Sequence, residues 1–205
     1  NSLENIDIPS SVYKVGSFAF ANCANLKEVD FGGSEIAEIE FGIFYESPSL
    51  ESVDLSGTHI EYVGNSAFYN CPSLSQVLLP DTVESIDVQA FCNCSSLESI
   101  ELPVSLRYIA AVAFSGAGLT SVTIPAATAS INKNAFSHCP DLMEFNVESG
   151  NPVYRSDGNC LINTAEKMIV LGCEGSVIPR DESVIGIYSW AFDGISHLTE
   201  LYISE

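Results

Sequence analysis

Basic residues are scarce. Seven Lys and Arg stand against 27 Asp and Glu in 205 residues, a formal net charge of −20. A surface this acidic repels phosphate backbones and anionic headgroups, so no nucleic acid is expected as a partner and binding to anionic membranes is disfavoured. No apolar run approaches the roughly 18–20 residues that cross a bilayer, so no membrane insertion is expected either. Histidine is limited to His59, His138 and His197, which fall in different parts of the chain. The motifs H-E-x-x-H and G-x-S-x-G and a phosphate-cradling glycine loop are all absent. His138 beside Cys139 is an adjacent imidazole and thiol, but sequence neighbours point apart. No catalytic residue, resident metal or cofactor is therefore assigned, and the chain is read as a non-enzyme. Seven cysteines make an odd number, whereas a disulfide scaffold more often shows an even set in a shorter chain. The chain opens at Asn1 with neither methionine nor signal peptide, the expected look of a fragment of a longer, processed protein.

What the chain has in quantity is repetition. Ala-Phe recurs at Ala19-Phe20, Ala67-Phe68, Ala90-Phe91, Ala113-Phe114, Ala135-Phe136 and Ala191-Phe192, and Ile43-Phe44 fills the same slot. The phenylalanine spacings are 24, 24, 23, 23 and 22, followed by one gap of 56. Leu3, Leu26, Leu50, Leu74, Leu97, Leu119, Leu142 and Leu198 run in step, each opening L-x-x-φ-x-φ, where φ is apolar. Two further apolar columns lie four and seven residues before the alanine, such as Val63 and Ile60 before Ala67. The φ-x-φ run has the strand period, which turns Val53, Leu55, Ile100 and Leu102 inward. Pro9, Pro80, Pro103 and Pro125 follow such runs and stop the ladder, having no N–H to donate. The small-residue stretch around Ala-Phe is expected to form one helical or 3₁₀ turn, with Asn22, Asn70 and Asn93 as its end signals. A unit of about 23 residues cannot bury its apolar columns alone, so the units must stack into a solenoid around one continuous core.

Cys23, Cys71, Cys94 and Cys139 all sit three residues after the slot phenylalanine, where Ser47, Ala117 and Ile195 stand in other units. That set describes a small interior position, and the thiols are expected to be buried and inert. The gap of 56 contains Gly150-Asn151-Pro152, the Asp157-Gly158 turn and two apolar runs, "CLI" and "MIVLGC", separated by residues 164–167. One repeat widened by a β-hairpin over about 146–183 is expected, with "SVIP" (176–179) reopening the repeat. Cys160 and Cys173 flank that hairpin, and a bridge between them depends on their Cα separation. Trp190 is expected to pack against the insertion.

The L-x-x-φ-x-φ-P run, the φ-x-x-x-A-F slot and the cysteine after it resemble the BspA-like, or treponemal-type, leucine-rich repeat family of bacterial proteins. "GNPVYRSDGNCLI…VIP" is similar to an insertion found in that family. The resemblance implies an α/β leucine-rich repeat solenoid, mostly β with short helical or 3₁₀ turns: a curved right-handed coil forming a single domain over 1–205. It also implies a bacterial protein that is secreted or held at the cell surface, with a role in adhesion to host or other cells.

The strands carry the binding expectation. One outward residue per unit lies between the inward pair, giving Asp7, Asp30, Asp54, Leu78, Glu101, Thr123, Asn146 and Tyr202. A second outward column includes Glu28, Ser52 and Gln76. The candidate ligand-binding residues on this concave face are Asp7, Glu28, Asp30, Ser52, Asp54, Gln76, Glu101, Thr123 and Tyr202. A protein or glycan at a cell surface is the partner considered, basic in character to match the acids, with weak divalent cation binding as a second use. The competing expectation is a spacer or stalk in a larger surface protein, with no ligand of its own.

Overall fold

A computed structural model describes residues 3–179 and 182–196. The coils contribute first strands after their leucines and second, shorter strands before their alanines, though not every coil forms both. The first strands β1 (Asn5–Asp7), β2 (Glu28–Asp30), β3 (Ser52–Asp54) and β5 (Gln76–Leu78) pair in parallel, one repeat apart. Their register puts Ile6, Val29, Val53 and Val77 in one row. The second strands β4 (Tyr62–Val63), β6 (Ser85–Ile86), β7 (Tyr108–Ile109) and β9 (Ser130–Ile131) form a matching ladder. β8 (Ser121–Ile124) and β10 (Glu144–Val147) resume the first side. The period of two holds: Val29, Val53 and Leu55 are buried, while Asp30 and Glu28 are exposed.

The arc around Ala-Phe is not a helical or 3₁₀ turn, and there is no helix among the described residues. The residue before the alanine has positive φ (Phe18 60°, Ser66 53°, Gln89 59°, Val112 49°), as do Asn22, Asn70 and Asn93 at 57°, 55° and 61°. One left-handed residue ends a right-handed helix, and two per arc prevent one from starting. The arc is a run of i→i+3 turns instead. The Ala67 amide donates to the Gly64 carbonyl at 3.2 Å, and the Tyr69 amide to Ser66 at 3.1 Å. Alternate amides face the next coil: those of Ser66, Phe68 and Asn70 donate to Val88, Ala90 and Cys92 at 2.9, 2.8 and 2.8 Å. Half of the arc's donors thus close the arc and half bind the stack, which satisfies the backbone without a helix.

Inside the arcs the slot phenylalanines form one column. Phe20, Phe44, Phe68, Phe91, Phe114 and Phe136 stack with centroid separations of 5.5, 5.2, 5.0, 5.2 and 5.0 Å. Ladder spacing of about 4.8 Å sets that separation, so each ring meets its copy in the next coil. Phe145 ends the column edge-on against Phe136 at 5.6 Å. Thr128, the one polar member of an apolar column, is buried and donates to the Leu106 carbonyl of the preceding coil at 2.8 Å.

The insertion is larger than one hairpin. β11 (Tyr154–Asp157), β12 (Cys160–Asn163) and β13 (Met168–Leu171) form a three-stranded antiparallel meander, with the expected loop at 164–167 as its second connection. The first hairpin was hidden because "YRSD" is polar and lacks an apolar alternation. β14 (Gly186–Ile187) pairs in parallel with β13 rather than with β9. "SVIP" does not form the expected strand, and the Val177 amide instead donates to Gly158 in the Asp-Gly turn at 2.7 Å. The Tyr154 hydroxyl accepts from the Ile131 amide at 3.0 Å and so caps the edge of β9. The columns do resume after the insertion: Val184 and Ala191 are buried, and the His138 amide donates to Asp193 of the resumed arc.

Asn151 ties the insertion to the stack. Its amide nitrogen donates to the Pro125 and Thr128 carbonyls at 2.9 and 3.0 Å, and its oxygen accepts from the Val153 and Tyr154 amides at 2.9 and 2.8 Å. Losing four such bonds at about 0.5–1 kcal/mol each should cost Asn151→Ala roughly 2–4 kcal/mol. Hydrogen exchange at Val153 and Tyr154 should rise by a matching factor while exchange at Val53 stays unchanged. Unchanged protection of Val153 would show that the meander docks without this clamp.

Candidate interaction surface

The outward columns are held in register. Asp7, Asp30 and Asp54 are direct partners across β1, β2 and β3, and Leu78 follows on β5; Asn5, Glu28, Ser52 and Gln76 form the neighbouring row. Together they line an open groove of about 330 Å³. Like charges placed directly opposite repel, so this row works against the ladder that carries it. Local bonds fix two of the acids in place. Asp30 Oδ1 accepts from the Gly32 amide at 2.6 Å, and Asp54 Oδ1 accepts from the Ser56 amide and hydroxyl at 2.9 and 2.7 Å. Asp7 is followed two residues later by Pro9, which has no amide to offer in the same way.

The ladder is interrupted after β5. Residues 99–102, expected to continue it, form no strand, and Ile100 and Leu102 are only half-buried. Glu101 therefore leaves the row of Asp7, Asp30 and Asp54. It lines a second groove of about 380 Å³ with Asp81, Ser99, Ser121, Thr123 and Glu148. Of the expected contact residues, Asp7, Glu28, Asp30, Ser52, Asp54 and Gln76 share the first groove, and Glu101 and Thr123 share the second. Tyr202 lies outside the described residues. Asp81 and Glu148 were not anticipated, because both follow the strand and only the corner brings them in. The Glu148 carboxylate is held there by the Ala126 amide at 2.9 Å. The acids are strung out rather than converged: no group of three or more His, Cys, Asp or Glu side chains that could hold a metal occurs among the described residues. A calcium site needs about six or more converging oxygens.

The interior cysteines do more than fill space. The thiols of Cys71, Cys94 and Cys139 lie 3.1, 3.1 and 3.0 Å from the carbonyls of Phe44, Phe68 and Phe114, each one coil earlier. The Ser47 hydroxyl donates to Phe20 at 2.8 Å in the same way. The slot selects a small donor, which explains the exchange of Cys for Ser better than size alone. Burial pushes the thiols of Cys71 and Cys139 up to about 12, that of Cys160 up to about 11, and that of Cys94 well above its ordinary value. Cys160 and Cys173 are both free thiols, as are the other five cysteines. Trp190, expected to pack against the insertion, is 67% exposed.

A family model of the BspA-type leucine-rich repeat region, six copies long, matches residues 1–78 and 61–180. The chain belongs to the BspA-type leucine-rich repeat family. Its fold is similar to that of a leucine-rich cell surface protein from Faecalibacterium prausnitzii A2-165, with a TM-score of 0.68 at 24% identity over 95% of this chain and 62% of that one. A leucine-rich repeat protein from Eubacterium ventriosum aligns at a TM-score of 0.61 and 18% identity, over 76% of this chain and 48% of that one. The pneumococcal vaccine antigen PcpA aligns at 0.52 and 17% identity, over 93% of this chain and 52% of that one. The chain thus spans less than two thirds of each of these proteins. No curated protein matches it in sequence. No helix among the described residues is long and apolar enough to cross a membrane.

Proposed function

We propose that this chain is a recognition module displayed at a bacterial cell surface, and that the groove across β1, β2, β3 and β5 is its contact face for a basic protein partner. The observation that carries the reading is the registered row of Asp7, Asp30 and Asp54, two of whose carboxylates are pinned by their own loop. Ladder repulsion makes that row costly for the fold, and prior orientation lowers the ordering cost of binding. The first fold neighbour is described as a cell surface protein, which supports the location.

The test is a pull-down of extracellular matrix and cell-surface proteins on the immobilised chain, followed by affinity measurement with the double variant Asp30→Asn, Asp54→Asn. Asparagine keeps the Oδ1 acceptor for Gly32 and Ser56, so the fold should persist. Affinity should fall about tenfold, the equivalent of ~1.4 kcal/mol. Equal affinity of variant and parent would remove the acidic face from the reading. Capture of no partner under any condition would favour the spacer.

A further inference from the structure

The arcs of the first three coils carry aromatic side chains on their outside. Phe18 and Phe41 meet edge to face at 5.0 Å, Phe18 and Tyr45 at 6.0 Å, and Tyr45 stacks on Tyr69 at 5.0 Å. Phe18 and Phe41 are 47% and 46% exposed, and Tyr45 and Tyr69 are half-buried. The solenoid does not need these rings. At the slot of Tyr45 and Tyr69 the other coils carry Ala21, Cys92, Ser115, Ser137 and Asp193; at the slot of Phe41 they carry Ser17, Asn65, Ala111 and Ser189 among others. Phe18 also holds a left-handed backbone at φ 60°, unfavourable for a bulky side chain. Its ring lies over Gly42, where an added Cβ would come within 2.5 Å of Phe18 Cε1. The cluster is thus built by two local choices that the repeat pattern alone does not require.

Carboxylates border it. Glu40, next to Phe41, accepts from the Ser17 amide and hydroxyl at 3.0 and 2.8 Å and pairs with Lys14 at 3.1 Å. Glu46 lies beside the Tyr45 hydroxyl, and Glu38 lies near Lys14, the partner of Glu40. Three acids against one lysine leave the rim negative. Tyr45 and Tyr69 stack on each other, while the edge-to-face contacts of Phe18 keep Phe18 and Phe41 out of that stack. Exposed aromatic faces beside carboxylates match a planar cation, which stacks on a ring while its donors reach the acids.

We propose that the outer arc of Phe18, Phe41, Tyr45 and Tyr69 is a second docking surface, which takes arginine side chains of an extended basic polypeptide. It is separate from the acidic groove and does not depend on the reading given for that groove.

Bulk negative charge attracts any polycation, so the test compares two of equal charge. Labelled oligo-arginine and oligo-lysine peptides of the same length are titrated into the whole chain at low and high salt. Oligo-arginine should bind about three- to tenfold more tightly, and the preference should survive salt that screens surface charge. Phe41→Ser and Tyr45→Ser, each placing a residue that other coils carry in the same slot, should abolish the preference. Asp30→Asn with Asp54→Asn should leave it intact. Phe41 is the more exposed of the two, so its variant keeps the test valid if Tyr45→Ser disturbs the fold. Equal affinity for the two peptides, or a preference that persists in the aromatic variants, would overturn the proposal. Displacement of oligo-arginine by a neutral oligosaccharide would assign the surface to glycan and overturn it too, as would self-association that both serine variants abolish.

Discussion

Phe91→Ala should destabilise the chain by about 3–5 kcal/mol, the range for removing a large buried aromatic side chain. Phe91 is fully buried and stacks on Phe68 at 5.0 Å and on Phe114 at 5.2 Å, so the cavity would open in mid-column with ladders on both sides. Those ladders prevent collapse, because the coil spacing is set by backbone bonds such as Phe68 N to Ala90 O and Phe91 N to Ala113 O. Phe20→Ala should cost clearly less, since Phe20 is half-buried and stacks only on Phe44. In a solenoid each coil is stabilised by its neighbours, so weakening one interface can also split cooperative unfolding into two steps. Urea unfolding followed by circular dichroism, with hydrogen exchange on Phe44 and Ala135, would show both effects. A Phe91→Ala cost within about 1 kcal/mol of the Phe20→Ala cost would mean that the column is not the element coupling the coils.

The column, the leucine series and the strand rows were all readable from spacing, because a stacked coil must repeat every buried contact at a fixed interval. Three things were not. The arc conformation was misjudged because a short run of small residues fits a helical turn as well as linked i→i+3 turns. Only the positive φ at sites as different as Phe18, Gln89 and Val112 separates them. Asn at 22, 70 and 93 gave a partial signal, yet the slot before the alanine shows no preference a single sequence can reveal. Strand β11 carries no legible signal because Tyr154 is its one large ring amid polar residues, and that ring serves β9 rather than its own strand. The break at 99–102 also went unseen, since "SIEL" is nearly identical to "SVDL" of β3. Neighbouring coils decide whether such a segment pairs, and that information is not local. The outward row therefore stays in register from Asp7 through Asp54 to Leu78, and Glu101 stands outside it.

Alkaline pH should unfold this chain earlier than its tyrosines alone would, and the interior thiols should be the cause. A cysteine thiol ordinarily ionises near 9.0, whereas burial holds Cys71 and Cys139 protonated up to about 12, Cys160 up to about 11, and Cys94 higher still. Below pH 9 both folded and unfolded states keep these protons, and the thiols contribute no pH dependence. Above it the unfolded chain releases them and the folded chain does not. Stability then falls by about 1.4 kcal/mol per thiol for each pH unit, until the folded value is reached. Four thiols together should remove roughly 5 kcal/mol by about pH 10, against a typical total of about 5–15 kcal/mol. The test is urea unfolding at a series of pH values, with Cys71→Ser, Cys94→Ser and Cys139→Ser combined. Ser47 already fills this slot and bonds the Phe20 carbonyl, so serine keeps the donor and loses the titration. Burial pushes Cys92 and Cys173 up as well, so the combined variant, which removes three of six shifted thiols, should lose about half of the thiol share of the alkaline slope. A slope equal to the parent's would show that these thiols do not carry it, leaving Tyr62 and Tyr154, whose hydroxyls desolvation pushes up, and the self-repulsion of a chain at net charge −20 as its sources.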